Sequence, residues 1–144
     1  MIDAKSYLRQ VEKLDVRIQN KLIERQQWQD IALGITASVG GERVQSSGRQ
    51  QKMADAIDKC VDMETEIAEL IDELVNAKRD VIHTIEQLES PTEYDVIHKR
   101  YIQFLSLQEI ADIYGKEYGW ATTCHGRALK GVQAILDQKE KAGG

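Results

Sequence analysis

Few side chains in this sequence have the chemistry to catalyse, ligate or oxidise. Three histidines, His83, His98 and His125, fall at unrelated helical positions. No HExxH, GxSxG or CxxC pattern accompanies them, so neither a zinc hydrolase nor a nucleophile elbow nor a dithiol site is predicted. Cys60 and Cys124 lie far apart without metal-type spacing. Both fall on apolar helical stripes, where a free thiol packs as a small hydrophobe. Asp58 with Asp62, and Glu66 with Glu69 and Glu73, recur at helical steps. A divalent cation needs a loop to wrap it, so these carboxylates read as a solvated face. The Gly40-Gly41 pair lacks the Gly-Lys-Ser/Thr ending of a phosphate loop. The sequence therefore predicts no enzyme, no cofactor and no metal.

The remaining polar candidates share one predicted helix, from about residue 120 to 138. Trp120, Thr122, Thr123, Gly126, Arg127 and Lys130 occupy it, and Lys116 lies in the turn before it. Arginine presents a two-pronged donor fork that suits guanine, and threonine can read base edges or the thymine methyl. Gly126 leaves room for close approach, while Lys130 and Lys116 are placed for phosphate. Trp120 has two readings, a wedge against sugar–phosphate or a closure of the apolar core. His125 flanks the buried stripe, where packing competes with base contact, and Arg127 has an ion pair within the domain as its alternative.

Two helices must position this face. Ser106 and Glu109 form a capping box, after which Leu107, Ile110, Ala111 and Tyr114 repeat at helical spacing. Gly115 stops that helix. Beyond a turn written Lys116–Gly119, a second stripe follows: Ala121, Cys124, Ala128, Val132 and Ile135. Ser90-Pro91-Thr92-Glu93 restarts the chain after a long helix, with Ser90 as cap and Pro91 at the first helical position. The helix it opens, Thr92 to Gln103, presents Tyr94, Ile97, Tyr101 and Phe104 as a support, with His98, Lys99 and Arg100 off that stripe. A supporting helix, a short helix ending in Gly and a longer helix with a polar outer face describe a helix-turn-helix.

The segments EIADIYG and HGRAL, spaced as they are here, resemble region 4 of sigma-70-type factors. They are more similar still to ArpU/RinA-type late-transcription regulators of phages and mobile elements, which carry this module behind a helical arm. The resemblance covers roughly residues 92–138, and the arm matches only in its helical, charged character. It implies a DNA-binding head whose arm dimerises or contacts RNA polymerase. Counted with the Gly115 that stops the first helix, the turn here is five residues, longer than the usual three or four, which leaves the start of the recognition helix open by one or two positions.

The rest of the chain predicts that arm. Residues 3–33 contain no Gly or Pro, and Leu8, Val11, Leu14, Ile18 and Leu22 mark an amphipathic helix. Its ridge of Lys5, Arg9, Lys13, Arg17, Lys21 and Arg25 is expected to pair with neighbouring acids. Residues 34–51 collect Gly and Ser without a period and read as a flexible loop. Residues 52–90 suggest a heptad seam through Ile57, Cys60, Glu64, Ile67, Ile71, Leu74, Lys78, Val81, Ile85 and Leu88. This helix is acidic, so an antiparallel hairpin with the basic first helix is predicted, Leu14 and Ile18 opposing Ile71–Leu74. A parallel homodimer through the second helix is the competing arrangement.

The fold class expected is all-α: a long antiparallel helical hairpin over residues 1–90, then a small helix-turn-helix domain over 91–144. Residues 1–90 carry 12 basic and 17 acidic side chains, and residues 91–144 carry seven of each. That is weak electrostatics for solitary DNA binding. No apolar run approaches a membrane span and the opening residues show no signal-peptide core, so a cytoplasmic place is expected, in a bacterial host if phage-encoded. The function predicted is sequence-specific regulation of transcription on double-stranded DNA, as a homodimer joined by the arm. The alternative is an adaptor that binds RNA polymerase or sigma through its coiled coil without reading DNA.

Overall fold

A computed structural model describes residues 2–34 and 46–143. Five helices follow one another: α1 (Ala4–Ala32), α2 (Ser46–Ile85), α3 (Pro91–Tyr101), α4 (Leu107–Ile113) and α5 (Tyr118–Gly143). The described fold is all-α, two long helices and then a small helical head. Of the predicted loop, residues 35–45 lie outside the described residues. Ser46 to Gln51 are helical, so α2 begins earlier than the Gly- and Ser-rich composition suggests. It also ends earlier, at Ile85 rather than Leu88, and Ser90 caps α3 by accepting from the Glu93 N–H at 3.2 Å.

Two compact units emerge: Met1–Leu14 with Leu74–Gly144, and Asp15–Glu73. They are cut differently from the division expected at residue 90, because the first turns of α1 and the last turns of α2 are built into the unit that holds α3, α4 and α5. In that unit Leu8 and Val11 of α1 meet Val81 and Ile85 of α2, Ile97 and Tyr101 of α3, and Ala128 and Val132 of α5. Each of these side chains is buried, and burial of a Leu, Ile or Val is worth about 1.5–3 kcal/mol. Polar clamps fix the same surfaces. Gln133 of α5 accepts from the Ala4 N–H and donates to the Ile2 carbonyl, both at 2.8 Å. The Tyr7 hydroxyl lies 2.5 Å from an Asp80 carboxylate oxygen and 2.8 Å from Thr84 Oγ1, to which Lys139 also donates at 3.0 Å. Burial, reinforced by Asp80, raises the Tyr7 hydroxyl well above the ordinary tyrosine range.

In the second unit α1 and α2 run antiparallel. Lys21 pairs with Glu66 at 2.8 Å, Arg25 with Glu64 at 4.0 Å, and Cys60 Sγ lies 3.8 Å from the Arg25 carbonyl. The basic ridge thus finds acids on α2 at Lys21 and Arg25. The seam of α2 needs correction. Ile67, Val81 and Ile85 are buried and Leu74 half-buried as expected, but Ile57 and Ile71 face solvent and Glu64 is exposed. Ala56, Met63, Leu70 and Ala77, each one residue earlier, are buried instead. Both lines have heptad spacing and share Cys60, Ile67, Leu74 and Val81. The inward line carries two alanines, Ala56 and Ala77, where the expected line offers the bulkier Ile57 and Lys78 one residue later.

Candidate nucleic-acid interface

Helix α4 starts as its sequence dictates. Ser106 Oγ accepts from the Glu109 N–H at 3.1 Å and Glu109 returns to accept from the Ser106 N–H at 3.2 Å, a complete capping box. It also stops as predicted. Gly115 adopts φ +64°, the Gly115 N–H reaches the Asp112 carbonyl at 3.1 Å, and the Lys116 N–H reaches the Ala111 carbonyl at 2.8 Å. This is a Schellman closure, which satisfies carbonyls left open at a helix end. It uses up the turn quickly, so α5 begins at Tyr118 rather than near residue 120. The connection is Tyr114–Glu117, four residues, within the ordinary span for a helix-turn-helix. Tyr118 and Gly119 therefore belong to α5. Both are exposed, at the start of the helix and not in the turn before it.

The inner side of α5 is set by small residues. Ala121, Cys124, Ala128 and Val132 are buried as expected, and Leu136, with Ile135 beside it only half-buried, completes the line. Val96 of α3, Ile110 of α4 and Cys124 form a second cluster, closed by Leu105, Leu107, Tyr114 and Trp120. Val96 was not on the predicted stripe of α3. That helix is two-sided, with Val96 in this cluster and Ile97 and Tyr101 in the larger one. At the α3–α4 corner Phe104 takes φ +62°, rare for a bulky residue, while packing against the larger core. Asp95 of α3 accepts from the Tyr114 hydroxyl and from Lys99 Nζ, the latter at 3.0 Å, so the end of α4 is tied to α3.

The proposed contact residues divide by environment. Thr123, Arg127 and Lys130 are exposed along the outer face of α5, and Lys116 is exposed in the turn. Among the described residues none of the three cations makes an ion pair. Gly126 is half-buried, and a Cβ built there would meet no atom within 4 Å, so the backbone is open to approach. Thr122, half-buried, donates its hydroxyl proton back to the Gly119 carbonyl at 2.9 Å. Trp120 stacks at a tilt on Tyr114, ring centres 4.9 Å apart, and so closes the smaller core. His125 is a packing residue: its Nε2 is 2.7 Å from the Tyr101 hydroxyl, and burial lowers its pKa below the ordinary histidine value. Lys99 is held by Asp95, and Arg100 reaches the Leu105 carbonyl at 3.5 Å.

A cleft of about 200 Å³ opens beside this face, lined by Thr123, Cys124 and Arg127 of α5 and by Ser90 and Glu93 at the start of α3. Burial pushes the Cys124 thiol up, with Glu93 adding to it, so the thiol is not an activated nucleophile. Among the described residues no three His, Cys, Asp or Glu side chains converge to hold a metal ion, and no helix is long and apolar enough to cross a membrane. No protein-family model, curated protein or solved structure matches this chain.

Proposed function

We propose that the chain is a sequence-specific DNA-binding regulator of transcription, of the phage or mobile-element type, with the N-terminal half of α5 in the major groove. The supporting observation is the outer face of α5: Arg127 and Lys130 exposed and, among the described residues, without ion-pair partners, beside Thr123 and the open Gly126, on a helix whose opposite side is locked into two cores. Unpaired cations on a rigid helix are what base and phosphate contacts require, because no internal pair must be broken first. In this scheme Arg127 forks onto a guanine edge, Thr122 and Thr123 read neighbouring bases, and Lys130 and Lys116 take phosphates. Tyr118, at the start of the helix, joins the candidates.

The head is electrically neutral overall, so one copy binds DNA weakly and dimerisation through the arm raises the effective affinity. The second reading, an adaptor for RNA polymerase or sigma, is favoured by the acidic side chains Asp62, Glu66, Glu69 and Glu73 of α2, a surface for a basic protein partner. Fluorescence anisotropy with duplex DNA across a salt series separates the two. The regulator loses affinity steeply as salt rises, through counterion release. Arg127→Ala should erode preference among sequences by about 1–3 kcal/mol, whereas Lys130→Ala should weaken all sequences alike. A chain that ignores DNA at low salt is not this regulator.

A further inference from the structure

In the second unit the two flanks of the helix pair are built from opposite chemistry. Along α2 the inward positions are Ala56, Cys60, Met63, Ile67 and Leu70. The residues one step before this line and its continuation are Asp55, Lys59, Asp62, Glu66, Glu69 and Glu73, all charged. The residues one step after it are Ile57, Val61, Glu64, Ala68 and Ile71, apolar but for one. The same holds more mildly on α1, around buried Ile18 and half-buried Leu22 and Arg25. Arg17, Lys21 and Glu24 precede these positions, and Gln19, Ile23 and Gln26 follow them, with Val16 on the same side. In an antiparallel pair, like flanks of the two helices lie side by side. The Lys21–Glu66 ion pair joins the preceding flanks, so the following flanks share the other side. That side exposes Ile57 by 53%, Val61 by 56%, Ile71 by 44%, Val16 by 50% and Ile23 by 58%.

We propose that this apolar side, Val16 and Ile23 of α1 with Ile57, Val61 and Ile71 of α2, is the homodimer interface, and that a second copy of the chain docks there to make a four-helix bundle. Successive residues are about 100° apart around a helix, so each helix carries a second seam at nearly a right angle to the first. That is the arrangement a helix needs when it has two neighbours in a bundle. Charge selects the occupant. A basic or acidic partner is drawn to the opposite flank, whose six positions on α2 are all charged, whereas the five exposed aliphatic side chains here are interrupted only by Glu64, already beside Arg25, and bordered by Asp15, Asp30 and Asp72. Two copies meeting here keep their acidic ridges apart. The area is sufficient: the paired stretch is about 27 Å long and about 20 Å wide, whose accessible surface is on the order of the ~800 Å² per partner of a standard interface.

This inference deepens the dimeric part of the reading above, and it is tested without DNA. Sedimentation equilibrium of the full chain should give a dimer at micromolar concentration. Val61→Glu places two unpaired charges in the interface and should weaken the dimer by about 100-fold or more, with helicity by circular dichroism unchanged because the site is exposed in one chain. Ile23→Glu, on the other helix, should do the same, and Glu69→Gln on the opposite flank should not. A single-chain mass over the whole concentration range, or a dimer indifferent to both Glu variants, overturns the proposal. A dimer that responds to both but ignores DNA leaves this interface standing and refutes the regulator instead.

Discussion

Asp95→Asn isolates the joint that ties α4 to its support. The Asp95 carboxylate accepts from the Tyr114 hydroxyl and from Lys99 Nζ. Partial burial pulls its pKa upward, but the two donors outweigh this and hold it below the ordinary carboxylate range. Tyr114 moves the other way, pushed up to about 12 by burial and by the Asp95 charge. The amide keeps the shape but loses the charge that strengthens both bonds. A hydrogen bond to a charged group contributes about 1.5–3 kcal/mol. Asp95 is only partly buried, so solvent screening reduces this to about 1–2 kcal/mol, read as a lower urea midpoint. Tyr114→Phe removes one of the same bonds, so the double variant should fall short of additivity by about 1 kcal/mol. Tyrosine absorbance should show one titration moving down in Asp95→Asn. Because the folded pKa of Asp95 is depressed, its contribution is complete above the unfolded value of about 3.9 and is lost as pH falls through the folded one. Wild type and Asp95→Asn should therefore converge in strong acid. Strictly additive costs, or an unmoved tyrosine titration, would refute the joint.

Three further outcomes follow from the same structure. Tyr7→Phe should cost about 1–2 kcal/mol in urea melts, since it strips a donor from Asp80 and a partner from Thr84. The raised pKa of Tyr7 means that wild-type stability should decline above about pH 10, a slope the Phe variant reduces. Burial, with Arg100, Lys5 and Arg9 nearby, lowers the pKa of His125. Its contribution is present above the unfolded value of about 6.5 and lost as pH falls through the folded one, so His125→Gln should flatten melting curves between neutral and mildly acidic pH. A Cβ on Gly131 would come within 2.7 Å of Leu88 Cδ2. The atom met is the end of a side chain that can turn aside, so this cost and the better helix propensity of alanine should nearly cancel: Gly131→Ala should change stability by less than about 1 kcal/mol, whereas the same substitution in a Leu88→Ala background should stabilise by about 1 kcal/mol.

Local chemistry was legible and depth was not. Ser90, Ser106 and Gly115 announce helix ends through capping that depends on near neighbours only, and each end lies where its residues place it. The inner line of α5 was equally plain, since Ala121, Cys124, Ala128 and Val132 leave no rival stripe. On α2 two seams one residue apart compete, and periodicity alone cannot say which faces inward. The choice between Ile57 and Ala56 is made by how closely a distant helix approaches. Tyr118 and Gly119 are poor helix formers by propensity, so local sequence assigns them to the turn and not to α5. The Schellman closure at Gly115 leaves the chain free to start a helix there. Gln133 carries no local signal at all: its role exists only because the start of α1 comes to rest beside α5.

Selection of binding sites from a random duplex pool by the purified full chain at physiological salt tests the regulator most directly. The prediction is enrichment of one motif, as two half-sites separated by about one helical turn, ~34 Å, if the dimer presents both heads to one face of DNA. Arg127→Ala should blur one position in each half-site and leave the remaining positions enriched. A pool that emerges as random as it entered, with protein folded and dimeric, would contradict DNA readout by α5.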